Sequence, residues 1–289
     1  MNDLQAVRAV LVTPPPAEDV VDRSRHRLQN RMQGAPRRRV RPLAIGAGLV
    51  AAAAAAAVVV ATLPGTPAPA PPPQAVAPVV TGQQVLLAAA TVAERTPAGT
   101  GKYWYVKTAT DNVVYENWYT ADGHTWFRGA KSGGKVRSLG LYPLRLAGTT
   151  VTFEQLRTLP SDPAALRDWL VNAIAHSGAR TSAGPLTAED RERELLLSMV
   201  SLVSTLPAQP AVRAAAFRSI AAYPGVRDLG PVPGGRGFLL PGDYRLVVDP
   251  VTARISHTSM FVTADGAIYG ASGPQGAQVS SGWTDSLPK

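Results

Sequence analysis

The chain has 289 residues, carries 29 Lys and Arg against 20 Asp and Glu for a formal charge of +9, and contains no cysteine. A chain without thiols has no disulfides, thiolate zinc sites, thiol redox chemistry or lipid attached through Cys. The charge divides into +5 for residues 1–42, nine Arg against four acids, and +4 for the remainder, twenty basic residues against sixteen acidic, so the basic balance does not require nucleic acid as a partner.

Residues 1–42 read as two short helices divided by Pro14, Pro15 and Pro16. Asp3 can cap the first, and Ala17 to Met32 forms the second, with Val21, Leu28 and Met32 along one stripe. Neither buries a core alone. The segment is either a solvated leader or a docking peptide, in which Val21, Leu28 and Met32 anchor in a groove of a cytoplasmic partner and Arg23, Arg25 and Arg27 steer toward acidic charge.

From Leu43 to Leu63 run twenty-one residues without a charge: ten Ala, four Val, three Leu, two Gly, one Ile and one Thr. As a helix they reach about 31 Å, close to the ~30 Å hydrocarbon thickness of a bilayer. At roughly −0.3 to −0.6 kcal/mol each near the helix centre, the eight Leu, Ile and Val supply about −2 to −5 kcal/mol of insertion free energy, a modest drive. Arg37, Arg38, Arg39 and Arg41 stand immediately upstream, and no Lys or Arg follows until well past the run. The positive-inside bias therefore predicts a retained transmembrane helix over 43–63 with its amino terminus in the cytoplasm. Partner lipid is implied directly. Residues 64–80 are rich in Pro and Ala and predict an extended linker.

Beyond the linker, residues 81–273 predict an extracytoplasmic α+β domain. Thr81 caps a helix reaching about Arg95, after which the period changes to two in Lys102 to Thr110, Val113 to Ala121 and His124 to Ala130, with turn residues between. This is an antiparallel meander, followed by a basic loop holding Lys131, Lys135, Arg137 and Arg145. Ser161, Asp162 and Pro163 then start a helix, and further helices are expected at Thr187 to Thr205 and Pro210 to Ala222. Strand signals return from Val226 to Ala271. Strands, helices and strands in that order predict an antiparallel sheet with helices packed on one face. Residues 274–289 read as an irregular tail.

Eight of the eighteen aromatic residues lie between Tyr103 and Phe127. Alternation puts Tyr103 and Tyr105 on one side of the first strand and Trp104 and Val106 on the other, while Tyr115 and Tyr119 oppose Val114 and Trp118 in the second. One face is then core beneath the helices and the other a cross-strand ladder. The sharper alternative is an aromatic wall of Tyr103, Tyr105, Tyr115 and Tyr119 for an apolar ligand or peptide. Trp104 and Trp118 are expected in the core. The four histidines have no companion at metal-ligand spacing, and no nucleophile elbow, phosphate loop or zincin motif occurs. The expectation is a non-enzyme without cofactor, metal or catalytic residues.

The Ala-rich span and Pro-Ala tether, followed by Lys102-Tyr103-Trp104-Tyr105-Val106-Lys107-Thr108, by Glu116-Asn117-Trp118-Tyr119-Thr120-Ala121-Asp122-Gly123, by Leu206 with Pro210-Ala211-Val212-Arg213, by Tyr223-Pro224-Gly225-Val226 and by Asp249-Pro250-Val251-Thr252, resemble a family of uncharacterised actinobacterial single-pass membrane proteins. That family is often encoded beside extracytoplasmic-function sigma factors, so the resemblance implies an envelope-sensing or regulatory role and a sigma factor as candidate cytoplasmic partner. The chain lacks the His and Cys ligands of zinc-containing anti-sigma factors, which points away from direct sequestration. An alternative resemblance is to half-barrel carrier and sensor proteins of the envelope, in which a sheet wraps around acyl chains.

Overall fold

The computed structural model describes residues 80–110, 113–262, 268–271 and 276–288, all within the unit Pro73–Lys289. The leader 1–42 with Val21, Arg23, Arg25, Arg27, Leu28 and Met32, the span 43–63 and linker residues 64–79 lie outside the described residues. Among the described residues no helix is long and apolar enough to cross a membrane.

In chain order the elements are α1 (Gly82–Arg95), β1 (Tyr103–Ala109), β2 (Val114–Tyr119), β3 (His124–Arg128), β4 (Arg137–Leu141), β5 (Leu144–Leu146), β6 (Thr149–Val151), α2 (Phe153–Arg157), α3 (Pro163–His176), β7 (Arg180–Thr181), β8 (Gly184–Pro185), α4 (Ala188–Ser204) and α5 (Pro210–Ala221). They are followed by β9 (Arg227–Val232), β10 (Gly235–Leu240), β11 (Tyr244–Asp249), β12 (Arg254–Thr258), β13 (Met260–Val262), β14 (Ile268–Gly270) and β15 (Ala277–Thr284).

Each long helix before α5 begins where the sequence supplies a cap. Thr81 and Gln84 form a capping box at α1, as do Thr187 and Asp190 at α4, so amides of the first turn are satisfied by side chains rather than left orphaned. Asp162 accepts from the Ala164 and Ala165 amides at α3, with Pro163 in the first helical position, where a missing N–H costs nothing. The charged first turns of α4 lead into ten consecutive buried residues, Leu195 to Ser204. This helix runs into the centre of the domain. Its buried hydroxyls are satisfied locally: Ser198, Ser201 and Ser204 donate to the carbonyls of Glu194, Leu197 and Val200 at 2.7, 2.9 and 2.6 Å.

Nine strands form one antiparallel sheet in the order β4-β3-β2-β1-β15-β12-β11-β10-β9. Two meanders, one from each end of the chain, are joined through β15. The segment expected to be an irregular tail is thus a strand at the middle of the sheet, pairing with β1 from Tyr103↔Thr284 to Ala109↔Gln278 and with β12 through His257↔Gln278 and Thr258↔Ala277. It carries Ser280, Ser281 and Gly282 in place of an apolar alternation, and its strand conformation comes from its two neighbours rather than from intrinsic propensity. The predicted basic loop is likewise partly strand, since Arg137 lies in β4 and Arg145 in the small β5-β6 hairpin.

The helices pack on one face of this sheet. Trp104, Val106, Tyr119, Phe238, Leu246, Val248 and Ile255 share a buried cluster with α1, α3, α4 and α5, in which Leu86, Leu166, Leu170, Leu195, Leu202, Phe217 and Ile220 are all but inaccessible. α1 and α5 pack closely, and each contributes alanines (Ala89, Ala90 and Ala93; Ala214, Ala215 and Ala216) that allow their backbones to approach. The expected α+β arrangement with helices on one face is what the domain has.

Candidate functional site

The register between β1 and β2 settles where the four tyrosines stand. Tyr105 lies opposite Trp118, whereas Trp104 lies opposite Tyr119 and Thr108 opposite Tyr115. Residues paired across an antiparallel ladder project to the same side, so Tyr103 and Tyr105 belong to the outer face and Tyr115 and Tyr119 to the helix face. They do not form one wall. Trp104 is in the helix-side core as expected, but Trp118, although only 2% exposed, lies outside that cluster on the outer face. There its ring is 5.2 Å from Tyr105 and covered by the Arg128 guanidinium at 5.5 Å. Tyr103 packs edge-on against Trp126 at 5.5 Å. Glu116 completes this outer ladder, accepting from the Tyr105 hydroxyl at 2.6 Å and from Arg128 Nε at 2.5 Å. The Arg128 hydrogen bond holds the Glu116 carboxyl below its ordinary value, and burial together with Glu116 pushes the Tyr105 phenol well up. The Glu116 carboxylate and the Tyr105 hydroxyl are thus committed to one another and to Arg128 within the ladder.

The helix side holds a larger feature. A cleft of about 890 Å³ opens between the end of α1, the α4-α5 connection, α2, the β11-β12 hairpin and β15. Its apolar lining includes Val92, Trp104, Phe153, Val203, Ile255 and Trp283. The Trp283 ring lies 5.4 Å from Trp104 and 5.7 Å from Phe153, so the three rings brace one another. Gly99 lets the α1-β1 connection pass over them: a Cβ there would meet Trp283 Cδ1 at 2.7 Å. Val251, at the tip of the β11-β12 hairpin, is 79% exposed at the rim.

Four charged residues line the cleft: Arg157, Arg213, Arg254 and Asp249. Three positive charges against one negative leave +2. Asp249 is committed to its own turn, accepting from the Val251 amide at 2.9 Å and the Thr252 hydroxyl at 2.6 Å, which holds its carboxyl low. Arg157 faces Glu154 at 3.6 Å on the surface. Arg213, partly buried in the first turn of α5, donates from Nη2 to the carbonyls of Ala253 at 3.0 Å and Val203 at 3.5 Å, and no carboxylate among the described residues pairs with it. Burial lowers its guanidinium, and the nearby Arg254 charge lowers it further. Sequence reading passed over Arg213. The available signal was a lone cation inside the apolar run Ala211 to Phe217.

A second hollow of about 300 Å³ lies beside the β5-β6 hairpin and includes Arg145, Asp190, Arg193 and Glu194. Arg180 lines it as well, so three arginines stand against two acids: Arg193 pairs with Asp190, Arg145 donates to the Gly148 carbonyl, and burial raises the Glu194 carboxyl. Among the described residues no three His, Cys, Asp or Glu side chains cluster as metal ligands. No family model matches the chain, no curated protein matches it, and no solved structure matches it.

Proposed function

We propose that the chain is a single-pass membrane protein with a cytoplasmic amino terminus, and that its α+β domain stands outside the membrane and binds an apolar small molecule of the envelope in the cleft of the helix side. The cleft is the observation that carries this reading. About 890 Å³ falls within the range of small-molecule sites, and the open cleft combines aromatic and aliphatic walls with polar surface of comparable extent, a lining that suits a ligand with both an apolar and a polar part. Trp283, packed against both Trp104 and Phe153, gives the cleft a continuous aromatic wall. The predicted anchor favours a sensor over a diffusing carrier, because a tethered domain cannot travel with its ligand. A regulatory output through the leader is the part of the proposal that rests on the family resemblance.

The test is to extract the full-length chain from its own membranes and identify copurifying small molecules by mass spectrometry, alongside Ala98→Trp. Ala98 is exposed and lines the cleft, so a large ring there fills the opening without disturbing the core. Enrichment of a small molecule in wild type and its loss in Ala98→Trp is expected. Equal recovery in both, or none in either, would contradict the reading.

A further inference from the structure

We propose that the cleft contains an anion subsite made by Arg213 and Arg254, so that its ligand is an amphiphile with one acidic head group, carboxylate or phosphate, and an apolar body lying against Trp104, Phe153 and Trp283. This deepens the reading of the cleft as a ligand site and rests on it.

The guanidinium of Arg213 has five N–H donors in a planar fork. The two on Nη2 are used on the Ala253 and Val203 carbonyls, which fix the plane of the group. Nη1 and Nε have no protein acceptor, yet neither is sealed from solvent, since the described structure has no buried side-chain nitrogen without a partner. Nη1 and Nε are therefore not fully enclosed, in a residue that lines the cleft.

The surroundings of Arg213 make this costly in the absence of an anion. It stands in the first turn of α5, where the helix dipole disfavours a cation. Its electrostatic neighbour is a second cation, Arg254, which follows the turn whose Ala253 carbonyl Arg213 binds. Arg254 is exposed and has no ion pair among the described residues. The Asp249 carboxylate, opposite Arg254 in the hairpin, is turned to Thr252 and the Val251 amide. Two neighbouring arginines of one cleft, neither in an ion pair among the described residues, match the two-oxygen recognition of a carboxylate or phosphate. The apolar rings of the same cleft match a hydrocarbon body rather than a free inorganic ion.

Tryptophan quenching tests this with the full-length chain in phosphatidylcholine nanodiscs, titrated with 11-bromoundecanoate and with 11-bromoundecanol, which share a tail and differ in charge. The carboxylate is expected to quench saturably and to bind about tenfold more tightly than the alcohol or better, the range of a charge-assisted hydrogen-bond pair. Arg254→Gln should weaken the carboxylate by about tenfold and leave the alcohol unchanged. Because Arg213 also holds the Ala253 turn, it is tested as Arg213→Lys, which keeps the charge but loses the fork and should also weaken only the carboxylate. Equal affinities for both probes, or carboxylate binding indifferent to Arg254→Gln, would overturn the anion subsite while leaving the cleft reading intact. Saturable quenching by neither would overturn both. Displacement of undecanoate by inorganic phosphate at equal concentration would retain the anion subsite and overturn the apolar body.

Discussion

The indole Nε1 of Trp104 donates to the carbonyl oxygen of Thr205 at 2.7 Å, a bond buried between β1 and the end of α4. Thr205 is the C-cap residue of that helix, where carbonyls have no intrahelical donor, so the tryptophan serves both as core volume and as a helix cap. The same ring is a wall of the cleft, which makes the packing of β1 on α4 and the shape of the site one structural problem.

Two substitutions separate these roles. Trp104→Phe keeps an aromatic ring but leaves the Thr205 carbonyl unpaired, a loss expected at about 1–3 kcal/mol. Trp104→Ala also opens a cavity and is expected to cost about 3–5 kcal/mol. Urea unfolding measures both. A Trp104→Phe variant as stable as wild type would mean that the hydrogen bond contributes nothing, and equal losses in the two variants would mean that the ring volume adds nothing beyond it.

The outer face predicts a pH dependence. The folded Glu116 carboxyl lies below its ordinary value near 4.5, chiefly through the Arg128 hydrogen bond. A depressed carboxyl gives stability that is present above the unfolded value and disappears as pH falls through the folded one. Wild type should therefore exceed Glu116→Gln in stability near neutral pH, and the difference should shrink steadily on acidification below about pH 4.5. A difference that stays constant into acid would contradict the ion pair as its source.

The carboxyl-terminal strand predicts an all-or-none truncation pattern. Ending the chain after Gly276 removes β15 and leaves unpaired backbone on β1 over seven positions, so no folded α+β domain is expected by circular dichroism or limited proteolysis. Ending it after Ser286 retains β15 and the bond from the Lys102 amide to Asp285 Oδ1, and should fold. A folded domain from the shorter chain would show that β15 is not the bridge between the two meanders.

The proposed placement of residues 1–42 in the cytoplasm carries its own prediction. If Val21, Leu28 and Met32 anchor it in a partner, Val21→Asp or Leu28→Asp should abolish co-purification of a sigma factor with the full-length chain, and added salt should weaken capture through Arg23, Arg25 and Arg27. Capture unchanged by both substitutions would return the arginines to setting topology alone.

Much of the fold was legible because local chemistry and tertiary structure agree. Thr81, Asp162-Pro163 and Thr187 cap helices where they were expected to, and the change from period three and four to period two after Arg95 marks the first meander. β15 was not legible, because its conformation is imposed by partners distant in sequence. The tyrosine wall fails for a related reason. Alternation within each strand was read correctly, but the relative phase of two strands depends on hairpin register, which sets Tyr105 against Trp118 rather than against Tyr115 or Tyr119. The cleft was harder still, since it draws Trp104, Phe153, Arg213, Arg254 and Trp283 from five separate elements or turns.

The most direct measurement of the central claim is site-specific crosslinking in living cells, with benzoylphenylalanine placed at the exposed rim residue Val251 of the full-length chain and the adduct weighed by mass spectrometry. The account predicts a light-dependent adduct of a few hundred daltons, the mass of a single small amphiphile, with markedly lower yield when Arg254→Gln is combined with the crosslinker. An adduct formed only with another protein, or a yield at Val251 no higher than at a surface position remote from the cleft, would contradict it.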